Sequence, residues 1–147
     1  MSLYAGLLLA LVQAAPQGAP AWQNPPGVAP PIGAYSHVAI VPPGRGLVVL
    51  AGQIGNAPDG KLADTVDAQF EAALRNVATL LASQGATPRD LVKLTIYLVQ
   101  PLNPNRARAA RAALLDGAAP PSTLVYVSRL ARPEILVEVE ATALAPR

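Results

Sequence analysis

The stretch at residues 120–144 constrains the fold of this chain more than any other. Two apolar segments, 122–130 and 135–144, flank a break at Ala131-Arg132-Pro133. Both alternate with a period of two and are rich in β-branched residues, so each reads as a strand. In the second, Val137, Val139 and Ala141 share one face, while Glu138, Glu140 and Thr142 share the other. Two carboxylates on one face of an otherwise aliphatic strand require water, a partner or a chemical role. That face is the candidate site.

The preceding chain supplies elements to pack around these strands. Residues 35–41 and 47–52 read as strands joined by the turn Pro42-Pro43-Gly44-Arg45-Gly46. The second is apolar on both faces, which predicts a central, doubly covered position. Gly52 at its end predicts that something approaches the backbone closely there. Pro58-Asp59-Gly60 has the composition of a turn. Over residues 64–84, Val66, Phe70, Leu74, Val77 and Leu81 form one helical stripe, with Asp64 or Thr65 as cap and Gly85 as stop. Residues 91–99 form another aliphatic strand. Asn103-Pro104 then opens a second helix that ends at Gly117 and carries Arg106, Arg108 and Arg111, a charge set ordinarily solvated. The order strand, strand, helix, strand, helix, strand, strand implies an α+β domain with both helices on one face of a sheet. No third helix remains to cover the other face, so self-association is expected.

Composition narrows the chemistry. Of 147 residues, 52% are hydrophobic and 14% charged, enough to build one domain with a core and to leave apolar surface for a partner. The formal charge of +2 comes without a basic tract, which argues against a nucleic-acid partner. With no cysteine there is no disulfide, thiolate nucleophile or zinc-thiolate site. His37 is the single histidine, so a multi-histidine metal site is excluded, and no Gly-x-Ser-x-Gly elbow accompanies it. It reads as a packed or half-exposed strand residue. No glycine-rich phosphate loop is present, and neither cofactor nor metal is expected.

Residues 1–24 differ in character from 25–147, the expected domain. An apolar run at 3–12, a small-residue site at Val12-Gln13-Ala14 and a proline-rich spacer at 16–31 suit a signal peptide, which would place the protein in the periplasm or outside the cell. No Lys or Arg precedes the run, and a retained tail on a cytoplasmic protein gives the same pattern. The run is too short for a membrane-spanning helix. Ordered structure is expected from about Pro31.

With these segments placed, four motifs stand in sequence order. They are Pro31-Ile32-Gly33-Ala34-Tyr35-Ser36, Ala51-Gly52-Gln53-Ile54, Lys93-Leu94-Thr95-Ile96-Tyr97-Leu98 and Leu136-Val137-Glu138-Val139-Glu140-Ala141. Together they resemble the RidA/YjgF family, also called the translation-inhibitor or endoribonuclease L-PSP family, over roughly residues 30–145. The resemblance implies a chorismate-mutase-like mixed sheet and a homotrimer with small-molecule clefts between subunits. It further implies hydrolysis of reactive enamines and imines to ammonia and a 2-keto acid. That chemistry uses an arginine fork for the substrate carboxylate, a glutamate that holds the attacking water, and a tyrosine wall.

Carried over residue by residue, Tyr35, Gly52 and Glu138 match the family's tyrosine, strand-end glycine and water-holding glutamate. Thr123 is the family's Ser or Thr, and Ala51 replaces a serine. Ser122 stands where the family carries its arginine. A hydroxyl gives one neutral hydrogen bond where a guanidinium gives charge and two parallel donors. Either another cation serves, with Arg108 the candidate because its helix position resembles one facing the cleft, or the ligand is not such an acid. Arg108 as an ordinary exposed side chain and Ser122 as a plain strand opener are the competing readings. For Glu138, the alternative to holding water is an ion pair across a subunit contact, while Glu140 reads as structural. Two functions follow, a RidA-like deaminase and a non-catalytic trimeric binder of a small metabolite. A ribonuclease is the weakest, lacking a basic patch and an aromatic platform.

Overall fold

In the computed structural model, which describes residues 18–147, the helical stripe becomes α1 (Val66–Ser83). Thr65 caps it, its hydroxyl accepting from the Ala68 N–H at 3.2 Å, and Gly85 follows it with φ +71°. Phe70, Leu74, Val77 and Leu81 are fully or almost fully buried along its inner side. A single 3-10 turn at Pro88–Asp90 leads into the next strand.

That inner side lies on a four-stranded sheet of β3 (Leu47–Ile54), β6 (Val137–Leu144), β4 (Leu91–Leu98) and β5 (Ser122–Tyr126), side by side in that order. β4 and β5 run parallel, and the other neighbours are antiparallel. Leu94, Ile96 and Leu98 of β4 join Val137, Val139, Ala141 and Ala143 of β6 in one core with α1. Each of the Leu, Ile and Val side chains, fully buried, contributes about 1.5–3 kcal/mol through removal from water. The second helix, α2 (Pro104–Leu114), is capped by the Asn103 side chain and adds Ala110 to the same core, with Ala107 and Leu114 packed against it. The expected α+β architecture, two helices on one face of a mixed sheet, is what the chain adopts.

Three details differ from expectation. β3 is an edge strand and not a central one, and its Leu47 and Val49 are 53% and 72% exposed. The doubly apolar pattern that suggested a covered strand instead marks a face left bare. The apolar segment 122–130 pairs only as far as Tyr126. Ordered structure also starts earlier than Pro31: β1 (Ala21–Gln23) pairs with β2 (Val38–Ile40) in a small antiparallel ribbon. Its Trp22 packs on the core and donates its indole N–H to the Leu91 carbonyl at 2.9 Å. Part of the proline-rich spacer therefore belongs to the domain. The signal-peptide reading, on residues 1–14, lies outside the described residues.

Candidate functional site

The strand alternation of β6 sends Glu138, Glu140 and Thr142 to the face away from the helices. β3 pairs with β6 from Leu47↔Leu144 to Leu50↔Ala141 and resumes at Gln53↔Val139, leaving an irregularity at Ala51-Gly52. Glu138 fills it. Its side chain lies over Gly52 so closely that a Cβ there would sit 2.7 Å from the carboxyl carbon and 2.8 Å from Cγ. The close approach expected at Gly52 is thus made by this chain's own glutamate. Glu138 is half-buried and makes no ion pair among the described residues. Glu140 is exposed and accepts the Tyr97 hydroxyl at 3.1 Å. That hydrogen bond, with burial and the two nearby carboxylates adding, raises the phenol above its ordinary pKa. Ala51 offers its carbonyl to the Gln53 amide at 2.9 Å.

Two polar residues of α1 hold this corner, and the sequence reading passed over both. Gln69 is 2% exposed inside an otherwise apolar helix face. Its amide donates to the carbonyls of Ala63 (3.0 Å) and Glu134 (2.9 Å), and its oxygen accepts from the Leu136 N–H (2.8 Å). It therefore fixes the chain two residues before Glu138. Asn76 donates to the carbonyls of Ile54 (3.1 Å) and Asn56 (3.0 Å), anchoring the end of β3. A polar side chain in a stripe of aliphatic ones was the available signal, since a buried amide must find partners.

A second cluster gathers where β5 begins. Ser122 donates its hydroxyl to the Pro120 carbonyl at 3.0 Å and accepts from Arg111 at 3.1 Å. The same Arg111 nitrogen donates to the Ala34 carbonyl at 3.0 Å, which places the backbone just before Tyr35 beside the guanidinium. Arg111 is half-buried, and burial lowers its pKa from the ordinary value. The cation beside Ser122 is thus Arg111. Arg108, on the same helix, is exposed. Thr123 points to the opposite face and accepts from Lys93 Nζ at 2.6 Å. Arg106 pairs with Glu71 at 2.6 Å and ties α2 to α1, so it is not merely solvated. His37 holds the loop before β2, its ring nitrogen 2.8 Å from the Ala29 carbonyl.

The two clusters do not meet within one chain. Glu138 is opposite Tyr97 on β4, and Ser122 is opposite Leu94. Three residues apart on one strand, Tyr97 and Leu94 face opposite sides of the sheet. Strand spacing adds about 10 Å along β4 and about 10 Å across it. One chain therefore carries an acidic cluster on its bare sheet face and a basic cluster at the far edge.

A mixed four-stranded sheet backed by two helices makes this an α+β domain, here with a carboxylate folded over a side-chain-less strand position. Residues 26–145 match the family model described as Endoribonuclease L-PSP, and the chain belongs to this family, the RidA/YjgF family. A RutC family protein of Pyrococcus abyssi is 30% identical over 115 residues, which is 77% of this chain and 87% of that protein. Among solved structures, a protein of unknown function from the conserved Rid family of Yersinia pestis superposes with a TM-score of 0.75. It is 32% identical and covers 86% of this chain and 98% of its own. Escherichia coli TdcF with bound serine superposes with a TM-score of 0.62 at 25% identity, over 79% of this chain and 91% of its own. The sheet, the helices and the chorismate-mutase-like arrangement are those of this family.

Proposed function

We propose that this protein is a small-molecule hydrolase of the deaminase type, acting on enamine or imine substrates in clefts between the subunits of a homotrimer. The carrying observation is the Glu138 carboxylate, held over Gly52 and free of any ion pair among the described residues. A half-buried carboxylate without a counter-ion is an acceptor in waiting, and a water it binds can lose a proton as it attacks. Attack on the imine carbon gives a carbinolamine. The proton Glu138 takes from the water passes to the nitrogen. Transfer of the hydroxyl proton to the amine then lets ammonia leave as the C–N bond breaks and the carbonyl forms. The membership of a family with a serine-bound structure is consistent with a small, polar ligand.

The trimer is part of the same proposal. Leu47 and Val49 at one edge of the sheet and Val125 and Tyr126 at the other are all more than a third exposed, and a closed ring buries both edges. Such a ring also brings the basic half-site of one copy to the acidic half-site of the next. Binding without turnover is the second reading, favoured by Ser122 in place of the family's arginine.

The test generates 2-aminoacrylate in situ and follows the appearance of pyruvate. The wild-type protein accelerates release, and Glu138→Gln, which keeps the shape and removes the base, lowers the rate by about 100-fold or more. No acceleration by the wild type leaves the binder. An unchanged rate in the variant removes Glu138 from the chemistry.

A further inference from the structure

The guanidinium of Arg111 is placed unlike those of the arginines that pair with carboxylates. It also differs from that of Arg45, which is half-buried without an ion pair among the described residues but spends both terminal nitrogens on the Gly18 and Ala145 carbonyls. Arg89, Arg106 and Arg132 each pair with a carboxylate, and each is roughly half or more exposed. Arg111 is half-buried, makes no ion pair among the described residues, and touches only neutral oxygens, those of Ala34 and Ser122. Both contacts use the same nitrogen, Nη2. Of an arginine's five N–H donors this leaves those on Nε and Nη1 to be used. A partly desolvated cation without a counter-ion is costly in itself, and an arriving anion gains the most there.

The local sequence explains how the cation arrives. Arg111 lies in the last turn of α2, where the helix dipole favours positive charge. Ser122 is small, so the arginine reaches across to the start of β5 and uses the serine hydroxyl as an acceptor. That hydroxyl has its own proton committed to Pro120, which fixes it in the accepting orientation toward Arg111. The Ala34 carbonyl completes the cradle and sets Tyr35 beside it.

We infer that Arg111, oriented by Ser122 and the Ala34 carbonyl, is the anion-holding residue of the ligand site and selects small carboxylic acids over their neutral analogues. The charge that the family carries on the strand is supplied here from the helix. This rests on the reading of the proposed cleft between subunits as a ligand site, but not on turnover.

The experiment titrates the full chain with pyruvate and with methyl pyruvate, following binding by ligand-observed NMR. The wild type binds the acid at least about 10-fold more tightly than the ester. Arg111→Gln loses about 30-fold or more in affinity for the acid and binds acid and ester alike, as expected when a desolvated charged contact is removed. Adding Ser122→Arg to Arg111→Gln returns the cation to the strand and restores the preference for the acid. A residue that only braced the loop would lower Tm without changing the acid-to-ester ratio, so circular dichroism accompanies each titration. Equal binding of acid and ester by the wild type, no binding of the acid, or an unchanged acid preference in folded Arg111→Gln each overturns the assignment. The wild-type comparison decides even if the variant does not fold. Arg111-dependent acid binding with no imine hydrolysis sinks the deaminase reading and leaves this one standing.

Discussion

Two glycines illustrate how much a single residue decides. A Cβ at Gly52 meets the flexible end of Glu138, whereas one at Gly55 meets the Gln69 backbone, 2.5 Å from its carbonyl oxygen. Gly52→Ala therefore displaces the carboxylate while the fold survives. Misplacement of a catalytic group by about 1 Å costs on the order of 100-fold in rate. The expected result is that loss in the pyruvate-release assay with little change in Tm. Gly55→Ala overpacks against helix backbone and destabilises by about 1–3 kcal/mol in urea titrations. If Gly52→Ala retained full activity, Glu138 would not need its position over the glycine. The special status of Gly52 was legible from a glycine inside or ending an apolar strand. What it makes room for was not, since period-two alternation gives a side chain's face and says nothing of which neighbour it folds onto. For the same reason the helix period did not separate Arg108 from Arg111. Only the packing of α2 against β5 shows which arginine reaches Ser122.

At the scale of elements, the strongest periodicities predicted what formed. The stripe of α1 and the alternation of β6 are both buried as the sequence implied. The order of strands was less accessible. β3 reads as a covered strand because Leu47 and Val49 are apolar, yet apolarity does not say whether the cover comes from the same chain. The polar contacts between α1 and the strands were invisible for a different reason, because their partners are backbone groups. Gln69→Leu strands the Leu136 N–H and the carbonyls of Ala63 and Glu134. Each buried unsatisfied group costs about 1–3 kcal/mol and the buried leucine offsets part of the three, so chemical denaturation is expected to show a loss of about 2–5 kcal/mol. A loss below 1 kcal/mol would show that water replaces the amide. Across β4 and β6, the neutral Tyr97 phenol donates to Glu140, so its pKa is raised in the folded chain. The contribution of this bond to stability is complete below the ordinary phenol range and is lost as pH rises through the elevated value. Alkaline titration of phenolate absorbance is expected to show a late step that Tyr97→Phe removes. Persistence of that step would assign it to another tyrosine.

For the whole molecule, the opposed placement of the acidic and basic half-sites matters most. Glu138 and Arg111 sit with groups on opposite faces of one sheet. A site that uses both must draw them from different copies, and the proposed ring, with the bare faces inward, would supply one such pairing at each contact. Exposed apolar side chains at both edges of the sheet are what the proposed assembly would cover. The count of copies came from family resemblance, since a bare face demands a partner without fixing how many. Mixing subunits tests the shared site most directly. Glu138→Gln and Arg111→Gln proteins, each inactive alone, are denatured together, refolded at equal concentrations and assayed for pyruvate release. Sites formed by an intact Glu138 from one copy and an intact Arg111 from its neighbour are expected at about a quarter of all contacts in random trimers, with activity returning in that proportion. Mixed assemblies that stay inactive while co-refolded wild type is active would show that each chain carries its site alone.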